Sequence, residues 1–365
     1  MKKALRTFLG TLALASQAHA AEGPVPVSAP TMPKLNHVFI IVLENHSFND
    51  IRGNALMPFI NGLADHSAVA TAYSATAHPS LPNYLAMIGG SSFNVASDNP
   101  PDWQSTTCTP FTDNGAVCPL QGNGTETATG ASILGKNIGD QLLAAKRSWK
   151  SYQQNLPPEG VDGVDFSDGV YSNLSDFSAI LPDASTTNAD MINAIAHFYA
   201  VKHNPFAYFA SGQGLLNPQH QAGFDGASGL YADLRAGTVR ALSFIVPNQC
   251  NDEHGIGGTD PFCSYDPTLL QRSDKTVSSM VHAIRVSPAW SNGSNAIILL
   301  WDEDDYSESN RVPLIVITNH SNVPVTSSVP YNHYSLLKTL EAGFRLPCLN
   351  HACDDNVQVM RDLFH

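Results

Sequence analysis

Positive charge is scarce in this sequence: 19 Lys and Arg stand against 32 Asp and Glu in 365 residues, for a formal net charge of -13. So acidic a chain is a poor standing partner for a nucleic-acid backbone. None of the six cysteines falls in a C-x-x-C spacing, which weakens a thiolate metal site. No G-x-S-x-G surrounds Ser80, so the nucleophile elbow of the α/β-hydrolases is missing. No internal repeat is visible, and the apolar run near the start is far shorter than the roughly 20 residues that cross a bilayer.

What is present at the start is an export pattern. Lys2, Lys3 and Arg6 precede an apolar run through Phe8, Leu9, Leu12 and Leu14, and Ala18-His19-Ala20 supplies a small-x-small cleavage site. Residues 1–20 therefore read as a signal peptide, and the mature chain is expected in a bacterial periplasm or outside the cell, with no membrane-spanning segment. Cleavage removes three cations and no acid, taking the net charge from -13 to -16. An oxidising compartment makes disulfides the natural reading of three local cysteine pairs, Cys108-Cys118, Cys250-Cys263 and Cys348-Cys353. Residues 21–33 hold four prolines and read as an extended lead-in, leaving residues 34–365 for the main domain.

His37 to Leu43 is a continuous apolar, β-branched run of strand length, typical of a strand buried on both faces of a parallel sheet. Further strand-like runs occur at Phe206 to Ala210, Leu242 to Val246, Asn295 to Trp301 and Val312 to Thr318. Helical patterns span Met57 to Ala64, Leu81 to Ile88, Ile138 to Ala145, Ala189 to Lys202, Leu269 to Val286 and Tyr334 to Ala342. That alternation predicts an α/β fold, a three-layer α/β/α sandwich with a mostly parallel central sheet. Residues 91–132, rich in Gly, Pro, Ser, Thr and Asn, read as an inserted loop or cap shaping the mouth of the site, and residues 212–231 as a second such segment.

Ligands in such folds gather beyond strand C-termini, and three polar clusters take that position. Glu44 and Asn45 follow the first strand; as an oxygen pair they suit a hard cation, and a turn cap is the competing reading. Asp302-Glu303-Asp304-Asp305 follows Asn295 to Trp301, where four acids repel one another unless a cation or an arginine offsets them; Asp302 and Glu303 lie nearest the strand end. Asn251-Asp252-Glu253-His254 follows Val246. It offers Asp252 and His254 as proton donor, phosphate contact or second metal pair, or else a turn beside Cys250. Ser80 opens the helical pattern of His78 to Gly90, where free N-H groups and the dipole favour an alkoxide or a phosphoryl group; an N-cap is the bland alternative. His333 opens the last helical pattern as cap or ligand.

Taken in order, ENHSF at Glu44 to Phe48, HPSLPNYLAMIGG at His78 to Gly90, SWKSYQ from Ser148, KHNPFAYF from Lys202 and PNQCNDEHG from Pro247 resemble one known family. LLWDEDD ending at Asp305, RVPLIV from Arg311 and YNHYSLLKTLE ending at Glu341 add to the likeness. It is the phosphoesterase family of bacterial acid phosphatases and phospholipases C, a branch of the alkaline phosphatase superfamily. The resemblance implies an alkaline-phosphatase-like fold and one divalent metal ion held by Glu44, Asn45, Asp302 and Glu303 beside a Ser80 nucleophile. It further implies that Asn83 contacts phosphoryl oxygens, and it places Asp252, His254 and His333 where two-zinc relatives keep their second ligand set. Those relatives begin with an aspartate after the first strand; Glu44-Asn45 departs from this and points to a single ion.

The expected function is that of a secreted, metal-dependent acid phosphatase acting on phosphomonoesters through a phosphoserine. In it Ser80 and His254 are catalytic, Asn83 and His333 bind substrate, and Asp252 is held for a second metal or a phosphate contact. Oxygen ligands favour Mg, Ca or Mn over Zn. The substrate is a small phosphoester or a phospholipid head group. A phospholipase C or phosphodiesterase on the same scaffold is the nearest rival. A metal-independent serine esterase and a non-catalytic secreted binding protein stand further off, and the latter leaves the acidic strand ends unexplained.

Overall fold

In a computed structural model of the protein, the described residues are 32–96, 98, 133, 135–156, 198–209, 211, 219–256, 263 and 268–364. The run HVFIIVL forms β1 (His37–Leu43), whose last six residues are all buried. β6 (Leu242–Val246) and β7 (Asn295–Trp301) are buried at every position, so both faces of the sheet are covered, as continuous apolar runs require. Burying one such aliphatic side chain stabilises the fold by about 1.5–3 kcal/mol.

The remaining strands are β2 (Ala68–Ala70), β3 (Tyr73–Ser74), β4 (Trp149–Gln153), β5 (Gln221–Ala222), β8 (Leu314–Thr318), β9 (Val325–Ser327) and β10 (Tyr331–Asn332). Eight of them form one sheet in the order β5-β4-β6-β1-β7-β8-β2-β9, and β10 pairs with β3 apart from it. β6, β1 and β7 are parallel neighbours, with Val38 opposite both Leu242 and Ala296. β8 runs antiparallel to β7 and to β2, and the other pairings are parallel. The sheet is therefore mostly parallel, as the alternation of apolar runs predicts.

The helices are α1 (Phe48–Ile51), α2 (Pro58–Asp65), α3 (Ser80–Gly89), α4 (Ile138–Ala144), α5 (Leu230–Ala236), α6 (Thr268–Val286) and α7 (His333–Phe344). One group packs α2 and α5 on α6, and another packs α3 on α4 and α7, which gives the three-layer α/β/α sandwich. α2 starts at Pro58 without a local cap; Asp274 of α6 supplies it from afar, accepting from Phe59 N (3.1 Å) and Ile60 N (2.8 Å). α3 ends at Gly90, whose φ of +71° and a would-be Cβ 2.6 Å from Leu349 O leave room for glycine alone. That end is gripped by the loop of the Cys348–Cys353 disulfide: His351 N donates to Gly90 O (3.0 Å) and Asn350 Nδ2 to Gly89 O (2.7 Å).

Several expectations change. The strand expected over Phe206 to Ala210 is not formed where the residues are described, Ala210 lying outside them: Pro205–Tyr208 forms a 3₁₀ turn opened by Pro205, because proline presets a helical φ and has no N-H for a ladder. Phe209 keeps only an isolated bridge to Ile133. The expected strand from Val312 begins at Leu314, after Pro313, which cannot donate to a sheet. Lys202, expected to end a helix, sits in the 3₁₀ turn Val201–His203, while 189–197 lie outside the described residues. The Cys250–Cys263 and Cys348–Cys353 disulfides are present; Cys108 and Cys118 fall outside the described residues, as do most of 91–132 and residues 212–218. Gln221–Ala222, within the expected second insert, joins the sheet as β5. Among the described residues no helix is long and apolar enough to cross a membrane.

Candidate active site

The strand order explains why three polar clusters met in sequence form one site. β6, β1 and β7 are adjacent and parallel, so the segments beyond Val246, Leu43 and Trp301 leave the same edge side by side. Backbone bonds lace them together: Glu44 N donates to Asp252 O (2.8 Å) and Asp302 N to Leu43 O (3.0 Å). Asn45 turns the chain away at a φ of +48°, a conformation asparagine tolerates, and its N-H points to Asp302 Oδ1 at 3.3 Å.

Ser80 is brought to this edge by the start of α3. The N-cap of α3 is Pro79, with no side-chain cap bond, so Ser80 is the first helical residue and not the cap. Its buried hydroxyl faces acids instead, with Oγ 3.2 Å from Glu44 Oε2 and 3.2 Å from Glu303 Oε1. Leu81 N, left over at the helix start, donates to Asp98 Oδ1 (2.9 Å). Tyr84, one turn along α3, donates its hydroxyl to Glu44 Oε1.

Glu44, Asp252, Asp302 and Glu303 are all buried. Burial, then Asp302 and Asp252, push the Glu44 carboxyl well up, and burial does the same to Asp252. Burial carries Asp302 to about 7, and burial together with the Asp302 charge carries Glu303 to about 9. Burial, then Lys202, depress His203 strongly and hold His254 down at about 4. For Lys202 burial works downward, but the Glu44 and Asp98 carboxylates outweigh it and hold the ammonium above its ordinary range. Four carboxyl groups around one ammonium in a low-dielectric setting cannot all ionise without a further positive charge, so their ionised form favours a cation.

Unpartnered atoms point the same way. Asn45 Oδ1 and Asp302 Oδ2 are buried without a hydrogen-bond partner, each a cost of roughly 1–3 kcal/mol unless something else satisfies it. The oxygens of Asn45 and Asp302 stand beside Glu44 and Glu303 and suit a hard divalent ion. Glu44, His203 and His254 offer ligand atoms that all lie within 4.8 Å of one another, a cluster that could hold a metal ion. The residues present thus fit a divalent metal.

Other expected site residues are engaged within the protein. Asn83 Oδ1 accepts from Thr76 N (3.0 Å), Thr76 Oγ1 (3.0 Å) and Ala77 N (2.9 Å). Its Nδ2 donates to Ala77 O (2.8 Å) and lies 3.2 Å from Glu303 Oε2. In this geometry Asn83 fixes the loop before Ser80 and steadies Glu303. His333 lies behind Asp302, its Nε2 2.6 Å from the Asp302 carbonyl and its Nδ1 2.8 Å from the Tyr73 hydroxyl, so both ring nitrogens serve the scaffold. Asp252 Oδ1 accepts from His254 N (2.9 Å). Asp304 Oδ2 accepts from Glu308 N and Asn310 N, both at 2.8 Å, and is a loop cap.

Four side chains at the site carried no assignment from sequence: His78, Tyr84, Lys202 and His203. His78 Nδ1 is 2.8 Å from Glu303 Oε2, and its ring stacks at 4.0 Å under exposed Tyr306. His203 Nε2 is 3.2 Å from Glu44 Oε1 and its Nδ1 3.3 Å from Asp252 Oδ2. A signal for the last two was available: Lys202-His203-Asn204 is a polar trio set directly before a proline in an otherwise apolar stretch.

Comparison with known proteins matches residues 54–347 to the Phosphoesterase family. The chain is 26% identical over 334 residues to a phosphatidylinositol-3-phosphatase of Mycobacterium tuberculosis, covering 90% of this chain and 85% of that protein. It is 24% identical to an acid phosphatase of Aspergillus fumigatus over 94% of its own length, and spans 63% of the fungal enzyme. A solved structure from Vibrio parahaemolyticus, of a protein in the alkaline phosphatase superfamily, aligns over 86% of this chain and 67% of that chain at 12% identity, with a TM-score of 0.46.

Proposed function

Because this chain belongs to the Phosphoesterase family, whose members hydrolyse phosphoric esters, we propose that it is an exported, metal-dependent phosphomonoesterase in which Ser80 is transiently phosphorylated. The observation that carries this reading is the position of the Ser80 hydroxyl, the first residue of α3, 3.2 Å from carboxylates at the ends of two neighbouring strands. A hydroxyl so placed has acceptors for its proton and the positive dipole end of α3 beside the atom it would attack.

Glu44, Asn45, Asp302 and Glu303 would hold the ion. When bound, it supplies Lewis-acid charge that lowers the hydroxyl pKa and offsets charge on the phosphoryl group. Ser80 Oγ attacks phosphorus as its proton passes to Glu44 or Glu303, the two acids within reach. The positive dipole end of α3 would favour the negative charge on the transferring group. Asn83 keeps the loop of residues 76–79 and Glu303 in place. His254 is the candidate for protonating the leaving oxygen, and the Lys202 ammonium lies 3.1 Å from its Nε2. Water then cleaves the phosphoserine.

The substrate class is a small phosphomonoester, phospholipid head groups included, a range that the relative named phosphatidylinositol-3-phosphatase supports. The export pattern of residues 1–20 and the disulfides support a periplasmic or extracellular site of action. The test is a substrate panel of p-nitrophenyl phosphate, a phosphoinositide monophosphate and bis-p-nitrophenyl phosphate, run with and without chelator. The expected result is chelator-sensitive monoester hydrolysis. Faster diester hydrolysis would move the reading to phosphodiesterase or phospholipase C, and full activity in chelator would end the metal role.

A further inference from the structure

Lys202 stands inside the half of the site that is walled by imidazoles. It comes from the turn Val201–His203, and its side chain is only 12% exposed. Nζ lies 3.0 Å from Asp98 Oδ2 and 3.1 Å from His254 Nε2. Nδ1 of His254 faces the Gly255 carbonyl at 2.6 Å, so that nitrogen carries the proton and Nε2 presents its lone pair to the ammonium. Nε2 is also the atom with which a neutral imidazole grips a metal. The other walls of this half are Glu44, His203 and Asp252, a mixed nitrogen and oxygen set that suits zinc or cobalt.

We propose that Lys202 is a built-in cation that occupies the histidine half of the site, so that this half takes no metal ion in the native chain. Asp98 locks the ammonium there while its other oxygen holds the Leu81 N-H at the α3 start, which ties the lysine to the placement of Ser80. A phosphoryl group on Ser80 would then meet an ion on the Asp302 side and a fixed ammonium on the other. The inference rests on the reading that Asp302 and Glu303 are metal ligands, and a difference in ion count between variants tests it separately.

The experiment measures bound Co²⁺ per chain by native mass spectrometry and by the visible absorption of the cobalt ion. It compares the full mature chain with Lys202→Met, with His203→Ala, and with Lys202→Met combined with His254→Ala. Lys202→Met is expected to bind one more ion than the native chain, with a new nitrogen-ligated absorption band, and the added His254→Ala should remove that ion again. His203→Ala alone should leave the native count unchanged. A folded Lys202→Met with no added ion overturns the proposal. So does a His203→Ala chain that loses an ion, and this second comparison decides the matter if Lys202→Met does not fold. Loss of all cobalt in Asp302→Asn tests the metal reading of the other half, whatever Lys202→Met shows.

Discussion

Replacing Ser80 by alanine separates a catalytic hydroxyl from a structural one, and the structure fixes the size of both effects. The hydroxyl has one proton to share between Glu44 Oε2 and Glu303 Oε1, each at 3.2 Å. Its removal therefore costs at most one hydrogen bond to a charged group, about 1.5–3 kcal/mol. No capping energy of about 1 kcal/mol is lost with it, because the cap position belongs to Pro79. For a domain of this size each kcal/mol lowers the melting temperature by roughly 2–4 °C, so Ser80→Ala should stay folded at ordinary temperatures and keep its metal. Turnover of p-nitrophenyl phosphate should fall far more, on the order of ten-thousand-fold to a million-fold, as nucleophile losses do. Acid-quenched turnover with labelled phosphoester should leave label on Ser80 in the native chain and none in the variant. Turnover within tenfold of native, or label on another residue, refutes the reasoning.

Glu44→Ala and Asp302→Ala should each lose bound metal together with activity, measured by metal analysis of the purified mature chain; a variant that keeps its ion but loses turnover would show that these acids act otherwise. Burial pushes the Glu341 carboxyl from 4.5 up to about 8, so its neutral form stabilises the fold fully below pH 4.5, and that contribution is lost as pH rises through about 8. Glu341→Gln should therefore flatten the fall in melting temperature across that window, and an unchanged pH profile would count against it. Mass mapping of unreduced peptides should find Cys108 joined to Cys118 beside the two disulfides already seen; a free thiol at either position contradicts the pairing.

Glu44, Asp302 and Asp252 were legible in sequence because each follows an apolar run too uniform to be anything but a buried strand, and acids at such ends have few bland uses. Ser80 was legible as a helix start, but only the structure separates the first helical position from the cap. What sequence could not supply was the neighbour relation β6-β1-β7, since pairing between distant segments leaves no local pattern. Tyr84 was hidden for another reason: on a helix buried along its whole length, an aromatic reads as core until its hydroxyl is seen on Glu44. Lys202 and His203 were masked by the apolar run after them, which reads as a strand once Pro205 is overlooked. Asn83 and His333 are polar residues near the chemistry whose bonds run mostly to the scaffold, with Asn83 Nδ2 also 3.2 Å from Glu303 Oε2.

The grip of the 348–353 loop on Gly89 and Gly90 reaches further than stability. α3 has ten residues and so spans roughly 15 Å, with the reactive hydroxyl at one end and this clasp at the other. A stiff rod held at its heel aims its tip. Reductants or proteases that open the Cys348–Cys353 loop would loosen the heel, and the aim of Ser80 would drift although no atom near it had been touched. Exposure to a reducing compartment could thus silence the protein from a distance while leaving every acid of the strand edge in place.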